Sequence, residues 1–211
     1  MSETGRPTTT VLLPETRSAW SRRDFIKGVI ASGVTVSGIG YFATGCAAPL
    51  PAQTGTVERL LTLTVNGQSR RVDVLPHETL ALTLRYKLGL TGTKLGCDRA
   101  ECGACTVLLD DVAHYACSTL THRVRGRDIT TVEGLAAADG TLHPVQQAFI
   151  DELGPQCGFC TPGQVMAAVA LLRANPSPTR DEARTAMSGN LCRCGAYDHY
   201  LNGVMRAARE A

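Results

Sequence analysis

Cysteine spacing is the feature that most constrains what this chain can fold into. The sequence of 211 residues contains nine cysteines, and eight of them form two groups of four. The first group has C-x4-C-x2-C-x11-C spacing, and the second is a C-x2-C pair followed after 31 residues by a C-x-C pair. Any fold must therefore place two quartets of sulfur atoms. The members are Cys97, Cys102, Cys105 and Cys117 in the first group, and Cys157, Cys160, Cys192 and Cys194 in the second.

Three kinds of site can use cysteines in this arrangement. In an oxidising compartment an even number of cysteines is typical of disulfides, and many connectivities are open to eight of them. Two zinc ions, each held by four thiolates, are the second alternative, because tetrahedral zinc accepts such close pairs. Iron–sulfur clusters are the third, since the first group has the plant-type [2Fe–2S] spacing. Spacing alone leaves zinc open for the second group.

The loop around the first group favours iron. Its sequence, GCDRAECGAC at 96–105, contains Gly96, Gly103 and Ala104, which are small enough to let backbone N–H groups approach a negatively charged cluster. Two short strands are predicted at residues 106–109 and 112–116, joined as a hairpin. Antiparallel pairing then returns the fourth cysteine beside the third, which explains the long last interval.

The segment before this loop predicts a small sheet. Strands at residues 60–65 and 70–75 flank Asn66-Gly67, a dipeptide typical of a two-residue hairpin turn. A helix is predicted over residues 78–88, and a further strand over residues 128–132. Two hairpins around one helix are typical of a β-grasp, ferredoxin-like domain. We place that domain at residues 57–135.

Residues 136–211 follow a helical period instead. Helices are predicted over residues 145–153, 161–174, 180–187 and 197–209, with Pro144 before the first and a capping box opening the third. The second of them is apolar enough to be buried on all sides. The two cysteine pairs of the second group precede the second and fourth helices, whose free N–H groups stabilise negative charge. The prediction is an α+β chain that ends in a four-helix bundle around a second cluster.

Residues 1–56 are predicted to be an export signal and linker. The segment SRRDFIK at 21–27 resembles a twin-arginine signal, which directs folded proteins across the membrane to the periplasm. The apolar run at 28–45 contains five glycines, so it is a poor permanent anchor. An ordinary signal anchor with an incidental arginine pair is the competing interpretation. Cys46 is assigned to the signal, with a lipoprotein acceptor as the alternative.

Charge and histidine content exclude some functions. The 21 basic residues nearly balance the 19 acidic ones, so the sequence does not predict a basic surface that would bind nucleic acid. The five histidines lack the spacing of metal ligands. They are predicted to be surface or packing residues, and His114, on the hairpin near the first cysteine group, is the one of most interest.

Three segments together resemble one family. GCDRAECGACTV (96–107), QCGFCTPGQ (156–164) and GNLCRCGAY (189–197) are similar to motifs of the two-cluster iron–sulfur subunit of molybdenum hydroxylases, the xanthine oxidase and aldehyde oxidoreductase family. The resemblance covers residues 57–205 and keeps all eight cysteines, although residues 98–101 depart from the glycine-rich form of the first loop. It implies two [2Fe–2S] clusters in this chain. It also implies a molybdopterin cofactor on a large partner subunit and FAD on a medium one.

The resemblance assigns roles to individual residues. Gln156 would contact the pterin, and Cys194 would be both an iron ligand and a close neighbour of the pterin. No residue of this chain is predicted to act as acid, base or nucleophile, because the catalytic centre would lie on the partner subunit. The leader and the CRCGAY form of the last motif resemble periplasmic aldehyde oxidoreductase small subunits.

The expected function is that of an electron-transfer subunit. It would serve a periplasmic molybdenum hydroxylase that oxidises aldehydes to carboxylic acids, and it would pass electrons through the second and then the first cluster to FAD. The same subunit in a heteroaromatic hydroxylase of isoquinoline or nicotinate type, donating to a cytochrome, is one alternative. A free-standing ferredoxin and a two-zinc scaffold are the others.

Overall fold

Five short strands form one mixed sheet in the computed structural model of the chain, which describes residues 21–30 and 59–210. The strand order is β2-β1-β5-β3-β4, with β1 and β5 parallel and the other neighbours antiparallel. The strands are β1 (Leu60–Val65), β2 (Gln68–Asp73), β3 (Thr106–Leu109), β4 (Val112–Tyr115) and β5 (Asp128–Thr130).

Ten residues of the predicted leader are described. Residues 22–30 form helix α1, which Ser21 caps by accepting a hydrogen bond from the Asp24 N–H and donating one to its carboxylate. The side chains of this segment are exposed. The rest of the predicted apolar run, from residue 31 onward, and Cys46 lie outside the described residues. None of the helices within residues 21–30 and 59–210 has the length and apolar content needed to cross a bilayer.

The first hairpin turns at the predicted dipeptide, but its second strand begins earlier than predicted. Asn66 and Gly67 both have positive φ, 53° and 71°, so two residues suffice for the turn and Val65 pairs directly with Gln68. Strand β2 therefore begins two residues before the predicted start at residue 70. Leu61, Leu63 and Val65, which alternate along β1, are buried.

The helix after this hairpin is shorter and wider than predicted. Helix α2 consists of one α turn, Leu80–Leu82, continued by a π turn, Thr83–Lys87. Glu78, predicted to be helical, precedes it and is buried, accepting hydrogen bonds from the Thr83 hydroxyl and the Lys87 ammonium group. Burial raises the pKa of this carboxyl, but the hydrogen bonds from Lys87 and Thr83 outweigh burial and bring the pKa below its usual value.

Strand β3 is buried on both faces and joins two hydrophobic cores. Because side chains alternate along a strand, Val107 and Leu109 belong to the core beneath the sheet, whereas Leu108 belongs to the core of the helices. Residues Thr56–Ala211 form one compact unit by their contacts. The division of this unit at residue 135 stays a prediction.

The bounds of four further helices agree closely with those predicted from the sequence. A capping box opens both α3 and α5, where the sequence predicted one only for α5. Helix α4 packs against β3. It is buried from Gly163 to Val169 but emerges toward its C-terminus, so the prediction that it is buried on all sides was wrong for its last turn. The helices are α3 (Pro144–Asp151), α4 (Thr161–Ala174), α5 (Arg180–Met187) and α6 (Tyr197–Glu210). The chain is therefore α+β, as predicted.

Candidate iron–sulfur centres

An irregular loop and the β3–β4 hairpin bring the first cysteine group together. The Ala116 N–H donates to the Cys105 carbonyl and so returns Cys117 to the same place. Cys97 lies within hydrogen-bonding reach of Cys102, and Cys105 within reach of Cys117. The Cys105–Cys117 pair is buried, whereas Cys97 and Cys102 are half-buried. The group thus consists of an inner pair and an outer pair.

Backbone N–H groups of the loop point at these sulfurs. The Ala100 N–H donates to Cys117 Sγ over 3.3 Å, and the Glu101 N–H donates to Cys97 Sγ over 3.4 Å. Asp98 and Ala100 adopt positive φ, 53° and 60°, a conformation that glycine reaches with less strain. The loop therefore makes N–H···S contacts although residues 98–101 lack the family's glycines.

The two loop glycines serve different contacts. A Cβ on Gly96 would lie 3.1 Å from Cys102 Sγ, so the absence of a side chain there makes room for sulfur. A Cβ on Gly103 would lie 2.5 Å from the Gly189 carbonyl oxygen, and Gly103 also has a φ of 70°. Gly103 therefore allows the loop to approach the helical half of the chain. The sequence had assigned it to the cluster.

The second cysteine group lies where two helices begin. Cys160 is the N-cap residue of α4, and the C-x-C pair lies in the turn before α6. Cys157 pairs with Cys194 on the surface, and Cys160 pairs with Cys192 in the interior. The Cys192 N–H donates to the Tyr197 hydroxyl over 2.9 Å. This group repeats the arrangement of the first, with one inner and one outer pair.

The inner and outer thiols differ in acidity. Burial raises the pKa of Cys105 to about 12 and that of Cys160 to about 11. Backbone N–H groups, that of Glu101 foremost, lower the pKa of Cys97 to about 7, and another backbone N–H lowers the pKa of Cys157. A buried thiolate needs a neighbouring cation, because burial disfavours the free ion. Each group is therefore suited to a metal centre that brings positive charge to its inner pair.

Two pairs of thiols are what a two-iron cluster requires, because each iron takes two of the four thiolates. In the part of the chain that the structure describes, no three Cys, His, Asp or Glu side chains surround one point as ligands of a single ion. The eight cysteines are free thiols, arranged in each group as a buried pair beside a more exposed one. This donor set fits two [2Fe–2S] clusters, one in each group.

Three of the five histidines lie beside identifiable neighbours. His114 lies on β4 near Arg127, and burial, followed by the charge of Arg127, lowers its pKa. His143 caps α3 by accepting a hydrogen bond from the Val145 N–H. His199 Nδ1 lies 2.8 Å from the Glu152 carbonyl oxygen.

A closely packed, hydrogen-bonded region connects the two cysteine groups. The Asn190 side chain donates to the Gly103 carbonyl over 2.9 Å, and the Leu191 N–H donates to the Cys102 carbonyl over 2.9 Å. Since Leu191 precedes Cys192, one hydrogen bond and one residue connect the backbone of Cys102 to that of Cys192. We call this region the junction. Its residues are Gly103, Gly163, Gln164, Gly189, Asn190 and Leu191.

The surface beside the second group is apolar. A cleft of about 350 Å³ lies between the two groups, with Phe159 and Leu191 among its lining residues. These two side chains and Tyr197 are each about half exposed, at 48%, 54% and 49%. Gln156 and Cys194, the two residues predicted to contact the pterin, are also exposed. An exposed apolar surface around an outer cysteine pair is suited to contact with a partner.

Sequence reasoning missed several residues of the site. Gln164 is fully buried and donates a hydrogen bond to the Asn190 carbonyl. The Tyr197 hydroxyl accepts a hydrogen bond from the Cys192 N–H. Their positions inside the quoted motif segments were a usable signal. Tyr200, whose hydroxyl lies near Cys160, falls outside those segments.

Known proteins share this arrangement. A model described as a 2Fe-2S iron-sulfur cluster binding domain matches residues 63–130, and one described as a [2Fe-2S] binding domain matches residues 131–205. The chain is 43% identical over 206 residues to the aldehyde oxidoreductase iron–sulfur-binding subunit PaoA of Escherichia coli K12, covering 90% of this chain and 89% of that protein. The chain belongs to the iron–sulfur subunits of the molybdenum hydroxylase family. The prediction that this chain is an electron-transfer subunit, with catalysis on a partner subunit, is thereby confirmed.

Two further relatives show the breadth of the family. This iron–sulfur subunit is 51% identical over 143 residues to the nicotine 6-hydroxylase small subunit of Paenarthrobacter nicotinovorans, covering 68% of this chain and 86% of that one. The solved aldehyde oxidoreductase from Desulfovibrio desulfuricans ATCC 27774 is 43% identical, with a TM-score of 0.69 over 72% of this chain. The iron–sulfur subunit spans 17% of that solved chain.

Proposed function

We propose that this iron–sulfur subunit relays single electrons from the molybdenum cofactor of a large subunit to FAD on a medium subunit. The observation that carries the proposal is the pair of cysteine quartets joined by the hydrogen bond from the Leu191 N–H to the Cys102 carbonyl. Residues 57–135 and 136–211 are the proposed cluster domains. The proposed ligands are Cys97, Cys102, Cys105 and Cys117 for the first cluster, and Cys157, Cys160, Cys192 and Cys194 for the second.

The protein's contribution is to hold, shield and space the two centres. When bound, each [2Fe–2S] cluster supplies one-electron redox chemistry. The buried inner pairs exclude water, and the N–H groups of Ala100 and Glu101 stabilise negative charge on sulfur. The junction fixes the distance between the groups through the backbone bond from Leu191 to Cys102 and through the buried side chains of Asn190 and Gln164.

We assign electron entry to the second group. Its outer pair, Cys157 and Cys194, is exposed, whereas the sulfurs of the first group lie deeper. Gln156 and Cys194 would contact the pterin, and the apolar side chains of Phe159 and Leu191 would pack against the large subunit. Electrons would then leave from the first group toward the acceptor.

Aldehydes, oxidised to carboxylic acids, are the proposed substrates. The match to PaoA covers 90% of this chain. The two cluster-binding domains, residues 63–205, make up a smaller share of the chain, so the match to PaoA extends into the leader. The 51% identity to the nicotine 6-hydroxylase small subunit supports a second candidate, a heteroaromatic hydroxylase that donates to a cytochrome. To distinguish the two candidates, the turnover rates of the purified complex are measured with an aromatic aldehyde, with nicotinate and with isoquinoline. The presence of a flavoprotein subunit in the complex would identify FAD, and not a cytochrome, as the electron acceptor.

Metal analysis provides the direct test. The complex purified without oxygen should be brown and contain about four iron atoms and four labile sulfides per iron–sulfur subunit. Reduction should produce two electron paramagnetic resonance (EPR) signals, one for each cluster. A colourless subunit containing zinc, or one whose cysteines are joined as disulfides, contradicts the proposal.

We propose export to the periplasm by the twin-arginine route, because the leader carries Arg22 and Arg23 and because a folded passenger can cross with its clusters in place. Replacing both arginines with lysine should hold the active complex in the cytoplasm, since the route reads the pair and not its charge. Activity is measured in periplasmic and cytoplasmic fractions. Arg6→Lys plus Arg17→Lys, elsewhere in the leader, is the control, and unchanged periplasmic activity of the Arg22/Arg23 variant removes the claim.

A further inference from the structure

A buried tyrosine of α6 reaches the start of α4. The Tyr200 hydroxyl lies 2.7 Å from Thr161 Oγ1 and 3.8 Å from Cys160 Sγ, and the residue is 2% exposed. Its ring meets that of Phe149 edge to face, with centroids 5.0 Å apart. A Cβ on Gly154 would lie 3.0 Å from the same ring. These contacts fix the hydroxyl beside the sulfur.

The direction of the hydrogen bond depends on the state of that sulfur. In the free thiol, the Cys160 S–H is placed to donate to the Tyr200 oxygen. A cysteine that binds iron is a thiolate, which can only accept. The tyrosine proton must then point at sulfur, and the Thr161 hydroxyl is placed to donate to the tyrosine oxygen.

We propose that Tyr200 donates a hydrogen bond to the iron-bound Cys160 sulfur and thereby raises the reduction potential of the second cluster. This inference rests on the proposed function, because it takes the second cysteine group as a cluster site. Reduction adds negative charge to a cluster, and a hydrogen bond to sulfur stabilises the more negative state. The interior position strengthens the effect, since water is excluded and the local dielectric is low.

A raised potential in the second cluster has a consequence for the relay. The second cluster receives electrons from the partner's cofactor, so a higher potential there favours their withdrawal from that cofactor. Tyr200 therefore acts as a positioning residue that sets the driving force of the first step.

Tyr200→Phe tests the proposal, because it removes the hydroxyl and keeps the ring that packs against Phe149. In the purified complex, the EPR signal of the second cluster is identified as the one that Cys160→Ala removes. Its midpoint in a redox titration should move to a more negative potential in Tyr200→Phe. We expect the reduction equilibrium to fall about threefold, or roughly 30 mV for a one-electron couple.

Tyr115→Phe is the matched control. Its hydroxyl donates to the Gly189 carbonyl over 3.0 Å, so the substitution removes a part-buried tyrosine hydrogen bond to a carbonyl and not to sulfur. The potential of the second cluster should be the same in Tyr115→Phe as in the wild type. Proton electron-nuclear double resonance of the reduced wild-type complex should also show an exchangeable coupling that Tyr115→Phe keeps and Tyr200→Phe loses.

The outcomes separate the two proposals. A wild-type complex without any signal that Cys160→Ala removes contradicts the cluster assignment itself. If the signal is present and its potential is unchanged in Tyr200→Phe, the tyrosine proposal alone is overturned. Loss of the signal in Tyr200→Phe also overturns the tyrosine proposal, because a tuning hydroxyl is dispensable for assembly. A reduced wild-type complex that lacks the exchangeable coupling overturns it as well.

Discussion

A Cys192→Ala variant should keep the first cluster, lose the second and stop electron flow between substrate and acceptor. Cys192 is a proposed ligand in the inner pair, and its partner Cys160 has a pKa raised to about 11 by burial. Without Cys192 the inner iron lacks half of its thiolates, and the buried thiolate that remains is poorly stabilised. Turnover with the natural acceptor should fall more than about 100-fold, the upper range for losing groups that merely support metal ligands.

The measurement combines EPR of the dithionite-reduced complex with steady-state turnover. One of the two cluster signals should disappear, and substrate should no longer reduce the other. Arg193→Ala is the control, because Arg193 lies in the same C-x-C turn and its side chain is exposed. Two intact signals with normal turnover in Cys192→Ala would remove Cys192 from the ligand set.

Gln156→Ala should also lower turnover, but it should keep both clusters. Gln156 is exposed beside the outer pair, and its proposed contact is with the partner's cofactor. Both cluster signals should therefore persist while turnover falls. Loss of the second signal in this variant would show that Gln156 supports the fold of the cysteine loop instead.

Local sequence signals were sufficient for most elements of this fold. Helix α4 begins and ends at the residues predicted, because Thr161-Pro162 is a strong start and the apolar run ends at residue 174. The capping box from Thr179 to Glu182 likewise fixed the start of α5. The π turn in α2 had no such signal in the sequence; in the structure, two of its residues, Thr83 and Lys87, donate hydrogen bonds to the buried Glu78 carboxylate that precedes the helix.

Spacing also predicted which cysteines belong together, but not how each group divides. The separation into inner and outer pairs depends on how deeply each loop is packed, and spacing does not record depth. The junction was hidden for a similar reason. Gly103 and Gly163 are 60 residues apart in the sequence, and only the packing of α4 against β3 brings their backbones together.

Gly163→Ala should damage both stability and electron transfer without altering a sulfur ligand. Gly163 lies in the first turn of α4, where alanine normally stabilises a helix by about 1 kcal/mol relative to glycine. Here a Cβ would lie 2.2 Å from the Gly103 carbonyl oxygen and 3.1 Å from the Ala104 Cα. These are backbone atoms, so they cannot rotate away as a flexible side chain can.

The expected loss of stability is about 2 kcal/mol, within the range for overpacking a close contact. It should appear as a fall of roughly 4–8 °C in the thermal midpoint of the cluster-loaded subunit. Relief of the clash must move α4 away from the cluster loop, and this movement strains the bond from the Leu191 N–H to the Cys102 carbonyl. In rapid-freeze EPR, reduction of the first cluster should therefore lag behind reduction of the second.

Ala170→Gly distinguishes this displacement from simple instability. Ala170 is half-buried on the same helix, and glycine there should cost about 1 kcal/mol through helix propensity alone. This substitution introduces no new atom, so the two clusters should be reduced in the same order and at the same rates as in the wild type. A Gly163→Ala complex as stable as the wild type, with no delay between the clusters, would mean that the junction tolerates a side chain. In that case the backbone approach of Gly103 to Gly163 would not be what sets the spacing of the two centres.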